Sequence, residues 1–116
     1  MSKQPSRRVA RRASVRLPAD YVQGGQGRGF AEIVELSAGG CILGQVLLDP
    51  SGPEVFLNFR LGADPREIGV RGRVASVREG VGTGIEFTSI SPDDRDLLRR
   101  FVEKKPAEKN PRAKRS

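Results

Sequence analysis

The chain contains no histidine, no tryptophan, one cysteine, one methionine and one tyrosine in 116 residues. Without histidine there is no imidazole to activate a serine, to shuttle a proton or to ligate a metal. Ser14, Ser37, Ser76 and Ser91 therefore lack the partner that nucleophilic catalysis needs, and no Ser-x-x-Lys replaces it. A lone Cys41 forms no internal disulfide, which suits a reducing compartment, and its expected role is that of a small buried hydrophobe. No apolar run approaches the ~20 residues that span a bilayer. The first sixteen residues have no apolar stretch of the kind a secretory leader carries. These absences predict a cytoplasmic, non-catalytic protein that does not insert into membranes and needs no cofactor.

What is present is charge, unevenly placed. The net charge is +7. Residues 1–16 carry six basic side chains (Lys3, Arg7, Arg8, Arg11, Arg12, Arg16) and no acid, and residues 104–116 carry six basic residues against Glu108. The stretch between them has nine basic and thirteen acidic residues, so +6 − 4 + 5 gives the total. A mildly acidic body bears two basic tails, and the tails supply any attraction for anions. Residues 1–6 and 106–116 have no apolar periodicity and are expected to be disordered.

The body reads as strands followed by one helix. Strands are predicted over Ser14–Val22, Phe30–Leu36, Gly40–Leu48, Val55–Leu61, Gly69–Arg78 and Val81–Thr88. Pro18 marks the first as an edge or a strand start. Gln23–Gly29 is a glycine-rich hairpin tip, since no Lys-Ser/Thr and no helix follow it as a phosphate-cradling loop requires. Ser91 is a suitable N-cap, with Pro92 at the first helical position and Asp93 and Asp94 where the helix dipole favours acids. Asp94 completes a capping-box pattern. Leu97, Leu98, Phe101 and Val102 form the apolar stripe, placed at a barrel mouth. The Asp93-Asp94-x-Asp96 run is better explained by capping than by metal binding, because a calcium loop needs glycine and more oxygen ligands. About six short strands and a terminal helix predict a mostly-β fold, a six-stranded antiparallel β-barrel with one C-terminal α-helix.

Two clusters can carry chemistry. The first is Arg7-Arg8-Val9-Ala10-Arg11-Arg12, rich in guanidinium groups that grip phosphates bidentately and stack on flat rings. The second is Glu35-Leu36-Ser37-Ala38-Gly39-Gly40. Its carboxylate can accept two N–H groups of a guanine edge, its hydroxyl adds a donor and acceptor on the same strand face, and its glycines permit close backbone approach. Taken singly, the first also reads as a basic arm for nonspecific nucleic-acid contact, and the second as an ordinary tight turn.

Together they resemble the PilZ domain family, bacterial receptors for cyclic di-GMP, whose members show RRxxxR in an N-terminal arm and (D/N)xSxxG some twenty to thirty residues later. Arg7-Arg8-x-x-x-Arg12 fits the first motif and Glu35-x-Ser37-x-x-Gly40 the second. Val15-Arg16-Leu17-Pro18, Gly72-Arg73-Val74, Gly84-Ile85-Glu86-Phe87 and Ser91-Pro92-Asp93-Asp94 are similar to the family's flanks, so the likeness runs from Arg7 to Lys105, with residues 7–13 as the ligand-binding arm. Arg11-Arg12-x-x-x-Arg16 is a second frame for the first motif. The resemblance implies Arg7, Arg8, Arg12, Glu35, Ser37, Gly39 and Gly40 as ligand-binding residues, an arm that orders over the barrel when ligand binds, and an effector protein that reads the change. Glu35 departs from the family's Asp or Asn, lengthening the side chain by one C–C bond, about 1.5 Å. Two other readings are a PilZ-like interaction module that binds no nucleotide and a basic barrel for nucleic acid. The second is disfavoured, because one tyrosine and five phenylalanines form no interleaved aromatic–basic stripe.

Overall fold

A computed structural model of the chain describes residues 12–25 and 27–104. Its strands are β1 (Ala13–Gln23), β2 (Gly29–Ser37), β3 (Gly40–Gly44), β4 (Val55–Arg60), β5 (Glu67–Arg78) and β6 (Gly82–Ser89), followed by helix α1 (Pro92–Lys104). Every strand pair is antiparallel, and the order β1-β2-β3-β6-β5-β4 closes into a barrel when β1 meets β4. This is the fold class expected from the sequence.

The period-2 pattern sorts side chains to the two faces of the wall. Val55, Leu57 and Phe59 are buried, while Phe56, Asn58 and Arg60 face outward. β1 does the same with Ala13, Val15, Leu17 and Ala19 inside. Inward residues of all six strands join one core with Leu98 and Val102, the buried half of the helical stripe, and Leu97 and Phe101 pack partly against it. The helix begins as its sequence dictates. Ser91 Oγ accepts the Asp94 amide at 3.1 Å, and Arg95 N donates to Ser91 O. The Asp94 carboxylate does not reach back to close a capping box; it accepts from Arg66 Nη2 at 2.7 Å, tying the β4–β5 turn to the helix start.

Two strands differ from expectation. Pro18 lies inside β1, paired with Glu32 of β2. It is tolerated because pairing with β4 starts only at Ala19, so at Pro18 the missing N–H faces no second neighbour. β3 ends at Gly44 rather than at Leu48. Gln45 has φ 66°, a left-handed conformation that turns the chain out of the sheet, and its amide donates to Val81 O. Beyond it the buried Thr83 hydroxyl replaces the ladder, donating to Val46 O at 2.5 Å and accepting from Leu48 N at 3.0 Å.

Bulges shape the wall next to the second motif. The β1–β2 register shifts between Ser14 and Leu17, and the β2–β3 register between Ile33 and Glu35. A third shift falls between Val74 and Ser76 of β5. Such insertions bend a strand and re-aim its side chains.

Candidate ligand-binding site

Ser37 closes the β2–β3 turn with its own hydroxyl, which accepts from Gly39 N at 3.2 Å and donates to Gly40 O at 3.3 Å. Its hydrogen is thus committed to the turn, and one lone pair remains to accept a bond from a ligand. Gly40 is fixed by the sheet: a Cβ there would stand 2.3 Å from Ile85 O. At Gly39 a Cβ would meet nothing within 4 Å, so the space over that residue is open.

Glu35 sits on β2 opposite Ser14, and Arg12 precedes that strand pair. Arg12 Nη1 lies 3.5 Å from Glu35 Oε1, with both side chains partly exposed. Arg12, Glu35, Ser37, Gly39 and Gly40 line one open cavity of about 410 Å³, whose other wall comes from β5 and β6 through Ser76 and Glu86. Five of the seven residues proposed from sequence therefore meet around a single space. Arg7 and Arg8 lie outside the described residues. Arg16, which ends the second arginine frame, pairs with Glu32 at 3.5 Å and borders a different depression beside Phe30 and Arg60.

Register extends the site beyond its motifs. Ser37 pairs with Gly40, Gly40 with Glu86, and Glu86 with Arg73, so these four residues form one row across β2, β3, β6 and β5. Glu35, Ile42, Gly84 and Ser76 form a second row across the same strands. The two glycines leave the middle of the wall low, and the acceptors Glu35, Ser37 and Glu86 rise around it. Arg73 Nε donates to Glu86 Oε1 at 2.9 Å. Sequence reasoning gave no role to Glu86, Ser76 or Arg73. The signal was present in Gly72-Arg73-Val74 and Gly84-Ile85-Glu86-Phe87, but only the non-local β3–β6 pairing brings these segments to the motif.

Cys41 lines the cavity from below, 6% exposed, and burial pushes its thiol up to about 12, so it stays protonated and inert. Among the described residues no group of three or more His, Cys, Asp or Glu side chains is arranged to hold a metal ion. Asp96 pairs with Arg99 and Arg100 instead. No helix among them is long and apolar enough to cross a membrane.

The PilZ domain model matches residues 6–104. The chain belongs to the PilZ domain family. Solved structures share its fold. The Bacillus subtilis inhibitor of motility (MotI/DgrA) aligns with TM-score 0.71 and 17% identity, over 89% of this chain and 51% of that one. This PilZ chain thus spans about half the length of the motility inhibitor. The PilZ domain of CeSA from a cellulose-synthesizing bacterium aligns with TM-score 0.61 and 21% identity, over 79% of this chain and 94% of that one. No curated protein matches.

Proposed function

We propose that this PilZ protein is a cytoplasmic, non-catalytic receptor for cyclic di-GMP that passes the signal to a partner protein. PilZ domains are generally receptor domains of this kind. The observation that carries the reading is the convergence of Arg12, Glu35 and Ser37 on one open cavity. The acceptors suit the N1–H and N2–H₂ donors of a guanine edge, and guanidinium groups suit its phosphates. Arg7 and Arg8, five and four positions upstream of Arg12, are proposed to close over the ligand from the arm that precedes β1. Ordering that arm costs ~1–2 kcal/mol per residue, which charged hydrogen bonds of ~1.5–3 kcal/mol each offset. The arm's new position presents a surface that the partner reads.

Titration calorimetry of the full chain with cyclic di-GMP tests this. Wild type is expected to bind, and Arg8→Ala and Arg12→Ala each to weaken binding about 10–150-fold. Unchanged affinity in both variants rules the arm out.

One observation favours a second reading, a PilZ module that acts through protein contacts alone. Arg12 and Glu35 are paired with each other, and the longer Glu35 side chain supplies the reach. On that reading wild type gives a flat titration, and Glu35→Asp restores binding.

A further inference from the structure

The site just described does not end at Glu86. A second depression of about 400 Å³ adjoins it, walled by Pro50, Ser51 and Gly52 of the β3–β4 loop and by Arg73, Ala75 and Glu86 of the barrel. Glu86 and Ala75 border both spaces. Ala75 lies within the β5 register shift, which sets Arg73 and Ser76 on either side of it. The outer wall therefore carries two Arg–Glu pairs, Arg12–Glu35 and Arg73–Glu86, on opposite sides of the low strip at Gly40 and Gly84. Glu35 on β2 and Glu86 on β6 are two strands apart, about 10 Å across the sheet.

We infer that Arg73 and Glu86 form a second guanine seat, which takes the other base of the same two-fold symmetric ligand. The inference rests on the receptor reading. A guanine presents N1–H and N2–H₂ donors beside the O6 and N7 acceptors. A carboxylate and a guanidinium fork side by side match that sequence of donors and acceptors, and adenine reverses part of it. The pair is free to turn toward a ligand: its side chains are 66% and 53% exposed, and exposed ion pairs are weak. The loop residues Pro50 and Gly52 supply a wall for the base without competing charge. Arg12–Glu35 at one end and Arg73–Glu86 at the other then read the two guanines by the same chemistry.

Calorimetry of the full chain with cyclic di-GMP and with mixed cyclic GMP–AMP tests this. Wild type is expected to favour cyclic di-GMP by about 5–150-fold, and Glu86→Gln to shrink that ratio. Arg73→Ala should weaken cyclic di-GMP binding by a similar factor. The double exchange Arg73→Glu with Glu86→Arg keeps the ion pair but reverses its order along the wall. It should bind as poorly as Arg73→Ala if the pair recognises a base, and as well as wild type if the pair only braces β5 against β6. Wild-type affinity in both Arg73→Ala and the exchange overturns the second seat while leaving the receptor reading intact. No binding by wild type overturns both.

Discussion

Gly40 packs its backbone against Ile85 so closely that the carbonyl oxygen of Ile85 occupies the place a side chain would take, 2.3 Å from an added Cβ. The glycine that ends the second motif is thus required by the β3–β6 pairing before any ligand arrives. At its neighbour Gly39 an added Cβ would meet nothing within 4 Å. Gly40→Ala is expected to cost about 1–3 kcal/mol of stability through overpacking, and Gly39→Ala to stay within about 0.5 kcal/mol. Urea unfolding midpoints separate the two, and equal midpoints would remove the steric account of Gly40. Because Gly39 borders the cavity, Gly39→Ala should still lower cyclic di-GMP affinity.

Glu35 separates binding from folding. Its contact with Arg12 is long, at 3.5 Å, and the arginine side chain is 69% exposed. Such a pair is worth about 0–1 kcal/mol. Glu35→Ala should therefore leave thermal unfolding nearly unchanged while lowering cyclic di-GMP affinity about 5–150-fold. A large loss of stability would mean that the side chain holds the bulged β2 in shape.

Leu98 is fully buried and joins the helix to the barrel core. Leu98→Ala should cost about 2–5 kcal/mol, the range for a buried leucine whose cavity collapses only in part. Exposed helix positions such as Arg95 should show no comparable effect in the same denaturation series.

Cys41 gives a pH signature. Burial raises its folded-state value from 9.0 to about 12, so on raising the pH the unfolded chain releases the proton first. The contribution to stability is complete below pH 9 and is lost as pH climbs toward 12, at about 1.4 kcal/mol per pH unit. Unfolding measured at pH 8 and pH 10.5 should show this slope in wild type, and a shallower one in Cys41→Ala. Alkylation of the thiol at pH 8 should be slow in the native protein and fast in denaturant; rapid native labelling would contradict the burial.

Much of the fold was legible because local chemistry and global position agree. Val55, Leu57 and Phe59 alternate with polar neighbours and are buried, and Ser91-Pro92 starts the helix where a capping hydroxyl and a preset φ require it. The apolar Val46, Leu47 and Leu48 favour a longer β3; only the left-handed Gln45 and the Thr83 side chain, distant in sequence from it, make that stretch a loop. The motif residues of the site were legible through their resemblance to a family. Arg73 and Glu86 were not, since which strands adjoin and in what register is decided by pairing between distant segments, and the β5 shift at Ala75 leaves no local mark.

The row Ser37–Gly40–Glu86–Arg73 crosses the seam where β3 meets β6, and everything from the β3–β4 loop to the β5–β6 turn lies between those two strands in sequence. Such distant pairings are slow to form and come after the local hairpins. A nascent or partly melted chain consequently owns the motif letters but not the place they describe. A nucleotide held by that row would stabilise only the finished hoop, so that raising its concentration would raise the share of the protein that is fully assembled.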